Sequence, residues 1–386
     1  MAAARARQGE RDDLLVLPDP DAWLAGVLPS VAARLGVPGA AATLDVPEAD
    51  GYVVLLVDGL GERLLRRHAA DAPYLSGLAS TPLTCGVPST TVTSLTSLGT
   101  GLAPGRHGIA GYTFRAPETG RVLNPLNWDR RLTPEKFQPH RTWLERADAA
   151  GVHTSTVSLA QFEGSGLTRA SLRGGRWIGL TDDATAEQRI DAIVGASVGG
   201  PDVPGPSLVY AYDRDVDHTG HSLGCRSTAW LDELRRVDRF CAELRRALPD
   251  GVRMLITADH GMVDVPGRNH LIVEDEPSML AEVAVMAGEG RLRHLYLERP
   301  GDAAAVKARW IDRLGGHAWV RTRDEARQEG WFGELDPAVA GRFGDVLVAM
   351  RTDWAVMTRT LRYEMELVGM HGSLTADEMM VPLLVA

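Results

Sequence analysis

The sequence predicts an α/β fold, a mostly parallel central sheet sandwiched by helices, with a small inserted α+β subdomain. Three observations predict it. A continuous apolar run stands at 52–57, and 154–158, 207–212 and 253–257 read as further short strands. A run without polar alternation reads as a strand buried on both faces, as in a parallel sheet. Between the last two, Trp230, Leu234, Val237, Cys241 and Leu244 recur at three- and four-residue steps, the stripe of an amphipathic helix. Helices alternating with such strands cover both faces of a sheet. Over 264–360 the pattern changes: an apolar run at 294–297, a helix at 303–314 and a run at 317–320 read as a βαβ-like insertion.

The elements follow in chain order. Residues 1–20 read as a loose lead-in, and 23–35 as a helix stopped at Gly36-Val37-Pro38. Together they make an N-terminal lead-in and helix over 1–45, with the main domain at 46–386. The strand at 52–57 ends at Asp58-Gly59, and open α/β sheets bind ligands beyond the carboxyl ends of their strands. Gly86-Val87-Pro88-Ser89-Thr90-Thr91 is a turn opening a helix over 92–98, closed by Gly99-Thr100-Gly101. Residues 112–145, rich in Pro, Asn and Trp, read as a surface excursion over the site face.

The bulk numbers exclude some functions. The 386 residues carry 41 basic and 51 acidic side chains, a net charge of −10, which argues against a protein that coats nucleic acid. Small phosphate substrates stay open, because bound metal ions supply positive charge locally. Lysine occurs only at Lys136 and Lys307, so a side-chain cation that grips substrate is expected to be arginine. Cys85, Cys225 and Cys241 are scattered and read as small buried hydrophobes, not a disulfide framework or thiolate zinc site. The N-terminal stretch has no apolar core of a signal peptide, and no apolar run reaches membrane-spanning length. A cytoplasmic protein that does not bind membranes is expected.

Acidic residues and histidines cluster where strands end. Asp58 alone reads equally well as a helix-capping loop acid. Asp259-His260 occupies the same kind of position, and two strands delivering Asp and Asp-His to one sheet edge favour a metal site. Asp217 and His221 are four residues apart, which puts them on one side of a helical turn. Asp213, Asp215 and His218 lie in the same stretch, so spacing alone leaves the ligand choice open. His371, in Gly369-Met370-His371-Gly372, is a lone histidine. Thr90 and Thr91 stand at a helix start, where either could serve as a cap. A nucleophilic hydroxyl there would need activation by a metal ion and the positive helix end.

The ordered set Asp58, Pro88-Ser89-Thr90-Thr91, Thr100-Gly101, His107-Gly108, Asp217 with Gly220-His221, Asp259-His260-Gly261-Met262 and His371-Gly372 resembles the alkaline phosphatase superfamily. More narrowly it is similar to its nucleotide pyrophosphatase/phosphodiesterase branch. The resemblance implies an alkaline-phosphatase-like core and two divalent ions, Zn²⁺ or alternatively Mn²⁺. Asp217, His221 and His371 would hold one ion, and Asp58, Asp259 and His260 the other. It places the nucleophile at Thr91. It implies hydrolysis of phosphodiester or pyrophosphate bonds in small, nucleotide-like substrates through a phosphothreonine-type intermediate.

The sequence departs from the family pattern in two places. Ser94 stands where the family has an Asn that contacts a phosphoryl oxygen, and Tyr112 where a further Asn is usual. Ser94, Tyr112 and Trp128 are the expected substrate contacts, and Phe162 the other aromatic of the specificity region. A phosphomonoesterase or phosphonate hydrolase of the same superfamily is the first alternative, with its extra cation sought among Arg106, Arg130, Arg131 and Arg141. A catalytically silent metal-binding scaffold is the second.

Overall fold

A computed structural model of the chain describes residues 15–198 and 205–386. Its centre is a seven-stranded sheet in the order Ala79–Thr84, Met380–Val385, Val252–Thr257, Gly51–Val57, Ser207–Asp213, His153–Leu159, Arg176–Leu180. The last five strands run parallel, and Met380–Val385 runs antiparallel to both of its neighbours. Gly51–Val57 is buried along its whole length, as its unbroken apolar sequence requires.

The registers bring the strand ends together. Val57 stands opposite Asp213, and Leu56 opposite both Tyr212 and Thr257. The residues that follow these strands therefore emerge at one edge of the sheet. The helix Thr228–Ala247 lays Trp230, Leu234, Val237, Cys241 and Leu244 into the core.

Three strands of this sheet escaped the sequence reading, for identifiable reasons. Ala79–Thr84 is an edge strand, four of whose residues are exposed. Its Pro82 lies opposite Pro382 of Met380–Val385. Proline lacks a ladder donor. The pairing of Met380–Val385 with Val252–Thr257 begins only at Leu383, so Pro382 has no ladder partner on that side. Arg176–Leu180 is the opposite edge and is half-buried.

The insertion is a four-stranded antiparallel sheet in the order Val283–Glu289, Leu292–Leu297, Val346–Met350, Ala318–Thr322. Leu292–Leu297 and Ala318–Thr322, joined by the helix Ala303–Leu314, run parallel but are not adjacent. Val346–Met350 lies between them, so the expected βαβ unit is split by a third strand. The insertion has its own core around Val306, Trp310, Val320 and Val348, while Leu292, Leu347, Trp331, Phe332 and Phe343 join the main core. The N-terminal helix, Val27–Arg34, also packs into the main core through Val27, Leu28 and Val31. Residues 1–14 of the expected lead-in lie outside the described residues. Among the described residues, no helix is long and apolar enough to cross a membrane.

Candidate active site

The sheet edge delivers Asp58 directly after Gly51–Val57, where its N–H donates to the Asp213 carbonyl at 2.8 Å. Asp217 and His221 lie on the helix Asp215–Leu223, which follows Ser207–Asp213. Gly59 makes their approach possible. Its φ is +72°, and a Cβ there would lie 3.0 Å from Asp217 Cβ. Such a backbone, so close to a neighbour, suits glycine. The short strand Gly369–Met370 pairs with Val263–Asp264 and carries His371 onto His260, their ring centroids 3.6 Å apart.

Two ligand groups result: Asp217 with His221 and His371, and Asp58 with Asp259 and His260. In each, the three ligand atoms lie within 4.8 Å of one another. His260 Nε2 is 3.5 Å from Asp58 Oδ1 and 3.4 Å from Asp259 Oδ2. His221 Nε2 is 3.3 Å from Asp217 Oδ2, and His371 Nε2 is 3.8 Å from Asp217 Oδ1.

The donor chemistry fits a divalent cation in each group. All three imidazoles turn Nδ1 to a backbone carbonyl: His221 to Gly369 at 2.8 Å, His371 to Ser89 at 2.9 Å and His260 to Gly261 at 3.0 Å. Those bonds put the proton on Nδ1 and leave Nε2 as a bare lone pair, the arrangement of metal-binding histidine. The bare Nε2 atoms of His221 and His371 then face each other at 3.2 Å, which is repulsive without a cation between them. Asp58 Oδ1, Asp217 Oδ1 and Asp259 Oδ2 are buried without hydrogen-bond partners. Burial, then the Asp259 and Asp217 carboxylates, push the Asp58 carboxyl well above its ordinary range. Burial, then His260 and His221, hold His371 well below its own.

Thr91 opens the helix Thr91–Thr100, and Thr90 is its cap residue, yet no side chain caps the helix. Thr91 Oγ1 instead lies 3.1 Å from His260 Nε2, while Thr90 donates to Glu289 Oε2 at 3.4 Å. A capping role is thereby excluded for both hydroxyls.

A cavity of about 650 Å³ opens over both groups and the two threonines. Tyr112, Phe162, Trp177, Tyr212 and Tyr363 are on its wall. Ser94 and Trp128 are not. Ser94 is fully buried one turn deeper in the helix. Trp128 donates to the Leu132 carbonyl at 2.8 Å and meets Phe137 edge-on. Its ring packs so closely on Gly166 that a Cβ there would lie 2.1 Å from Trp128 Cγ. None of Arg106, Arg130, Arg131 and Arg141 reaches the wall, where the arginine is Arg214. Arg106 pairs with Glu334, Arg131 with Asp129, and Arg141 bonds the Glu145 carbonyl.

Sequence reasoning missed Tyr212 and Glu289. Tyr212 donates to Asp58 Oδ2 and so orients that carboxylate. Its signal was legible, an aromatic at the end of the strand that leads to Asp217. Glu289 comes from the inserted sheet, with Oε1 unpartnered and its carboxyl raised by burial and then by Glu364. Nothing local in the sequence marks it.

The fold is similar to that of murine ectonucleotide pyrophosphatase / phosphodiesterase 5, with a TM-score of 0.68 and 18% identity over 86% of this chain and 87% of that one. An inactive variant of the same murine protein in complex with AMP matches equally well. Phosphonoacetate hydrolase from Sinorhizobium meliloti 1021, in complex with phosphonoformate, matches with a TM-score of 0.65 and 20% identity over 88% and 90% of the two chains. An uncharacterized pyrophosphatase/phosphodiesterase of Schizosaccharomyces pombe is 27% identical over 207 residues, 51% of this chain but 41% of that relative's length. The model of the type I phosphodiesterase / nucleotide pyrophosphatase family matches residues 52–374, a span that holds all six candidate ligands and Thr91, and the chain belongs to that family.

Proposed function

We propose that the protein is a two-metal hydrolase of phosphodiester or pyrophosphate bonds in nucleotide-like substrates, working through a phosphothreonine intermediate on Thr91. The observation that carries this reading is the position of Thr91 Oγ1. It stands at a helix N-terminus, 3.1 Å from His260 Nε2, which itself faces Asp58 and Asp259. The partial positive charge of the helix end favours an anion there.

Thr91 Oγ1 bonds to phosphorus as the bond to the leaving oxygen breaks on the opposite side. The hydroxyl proton passes to solvent, and the leaving oxygen departs as the phosphate product or, taking up a proton from solvent, as the alcohol. Water then attacks the phosphothreonine ester, releasing the second product and restoring the Thr91 hydroxyl. Two in-line displacements give net retention at phosphorus. Divalent ions, Zn²⁺ or Mn²⁺, held by the two groups would supply acidity to the hydroxyl and to water, and positive charge for the leaving oxygen.

The size of the cavity supports a substrate with a group beyond its phosphate. Phe162 and Trp177 approach from the side of the outer strands, Tyr212 from the strand beside Gly51–Val57, Tyr112 from the excursion and Tyr363 from the segment that follows the insertion. A phosphomonoester or phosphonate is the second reading. Arg214 on the wall favours it, although its guanidinium already pairs with Asp182 at 2.6 Å.

The test is hydrolysis of a bis-aryl phosphate against an aryl monophosphate, before and after chelation and on re-addition of Zn²⁺ or Mn²⁺. Diester cleavage lost on chelation and restored by metal is expected. A monoester preference selects the second reading, and silence with both metals leaves a metal-binding scaffold.

A further inference from the structure

We propose that Glu378, gripped by Arg291 of the insertion, is a positioning residue that sets the spacing between the two ligand groups. The inference rests on the metal-binding reading above. Glu378 lies in the short helix Ala376–Met379, between His371 and the last strand. Its carboxylate is fully occupied. Oε1 accepts from Arg291 Nε and from the Ser373 N–H, both at 3.0 Å. Oε2 accepts from Arg291 Nη2 at 2.8 Å and from Thr375 Oγ1 at 2.5 Å. Its backbone carbonyl accepts from the Gly261 N–H at 2.8 Å.

One residue therefore holds two loops. Its side chain fixes the segment two residues after His371, and its backbone fixes the residue after His260. Those histidines belong to different ligand groups, and their rings are stacked. There is no slack in the arrangement, since a Cβ on Gly261 would lie 2.0 Å from the Asp377 carbonyl oxygen. A shift of the 376–379 helix must displace both histidines.

Arg291 ties this hub to the insertion. It sits in the turn between Val283–Glu289 and Leu292–Leu297. Its other N–H groups donate to the Thr352, Trp354 and Met350 carbonyls. The Arg291 and Glu378 side chains are 1% and 0% exposed. A buried ion pair is weak evidence for stability, because apolar replacements often do as well. What distinguishes this pair is its target: the Glu378 carboxylate ends on the Ser373 N–H of the loop that carries His371, and the residue it anchors holds, through its own carbonyl, the Gly261 N–H beside His260. A purely structural pair would lower melting temperature and leave metal affinity per folded chain unchanged.

The test is a zinc titration with elemental analysis on wild type, Glu378→Gln, Arg291→Lys and Val320→Ala, with circular dichroism and melting temperature for each. Val320 lies in the separate core of the insertion and serves as the control for lost stability. Wild type is expected to bind two ions. Glu378→Gln is expected to weaken both together, by about ten-fold or more, with its secondary structure retained. Val320→Ala should melt earlier and bind zinc like wild type. If Glu378→Gln does not fold, Arg291→Lys keeps the charge, loses the fork and should show the same joint weakening. Wild-type affinity in folded Glu378→Gln or Arg291→Lys, weakening of one ion alone, or equal weakening in Val320→Ala overturns the proposal while the functional reading stands. Failure of wild type to bind any divalent ion removes both.

Discussion

Thr91 Oγ1 lies 3.1 Å from Nε2 of His260, and neither Thr91 nor its neighbour Thr90 caps the helix they open. The hydroxyl that points at the ligand group is thus separated from the one that reaches Glu289. Thr91→Ala is expected to lower turnover by roughly 10⁴-fold or more, the scale of losing a nucleophile, with metal content unchanged by elemental analysis. Thr90→Ala should keep most of the activity. Near-normal turnover in Thr91→Ala would remove Thr91 as the nucleophile.

The two groups share no ligand, so they are expected to empty separately. Asp259→Asn takes an anionic ligand from one group, and His371→Ala takes an imidazole from the other. Each should lower zinc content to about one ion per chain, because the remaining ligands of the damaged group hold metal too weakly. Elemental analysis after dialysis at fixed free zinc reads this directly. Full occupancy in either variant would show that the residue is not a ligand.

The sheet core was legible because Gly51–Val57, Ser207–Asp213 and Val252–Thr257 are largely apolar and 154–158 is a short run of small and β-branched residues, so four of the seven strands could be placed from sequence. Pro82 and Pro382 concealed two others, and the half-buried edge position of Arg176–Leu180 the third. Asp58, Asp259 and His260 at strand ends and Asp217 with His221 at a four-residue helical spacing were legible as ligand candidates from local signals, whereas the lone His371 entered only through the family resemblance. Glu289, Trp177, Tyr363 and Arg214 were not, since tertiary folding alone brings them to the cavity wall. Ser94 and Trp128 show the converse. Ser94 follows Thr91 by one turn and Trp128 sits in the excursion, but one is buried in the helix packing and the other packs onto Gly166.

Tyr212 donates to Asp58 Oδ2, leaving Oδ1 turned toward His260. Tyr212→Phe deletes that bond and little volume. Groups that orient a metal ligand typically matter by 10- to 100-fold in affinity. Tyr212→Phe is therefore expected to bind its ion about ten-fold more weakly, with kcat recovered at saturating zinc. A loss of kcat that excess zinc does not restore would show instead that Tyr212 acts on the substrate.

His107 ties the folded state to pH. Its Nδ1 accepts from the Ile109 N–H at 3.1 Å, so the proton is on Nε2 and donates to Ser97 Oγ at 3.0 Å. Burial, then the nearby His140 and Arg342, lower it from 6.5 to about 3. Between those values the unfolded chain holds a proton on this residue that the folded chain lacks, so His107 costs stability as pH falls through 6.5 toward 3. The full slope for one proton is about 1.4 kcal/mol per pH unit. Buried carboxyls with raised values, such as Asp58 and Glu289, act with the opposite sign, and the wild-type curve alone does not isolate the histidine. The difference between wild type and His107→Gln does. Denaturant unfolding of both at several pH values should show the stability gap shifting in favour of the variant as pH falls, by up to that slope. A gap independent of pH would mean that the folded chain takes up the His107 proton as readily as the unfolded chain, and that burial does not depress it.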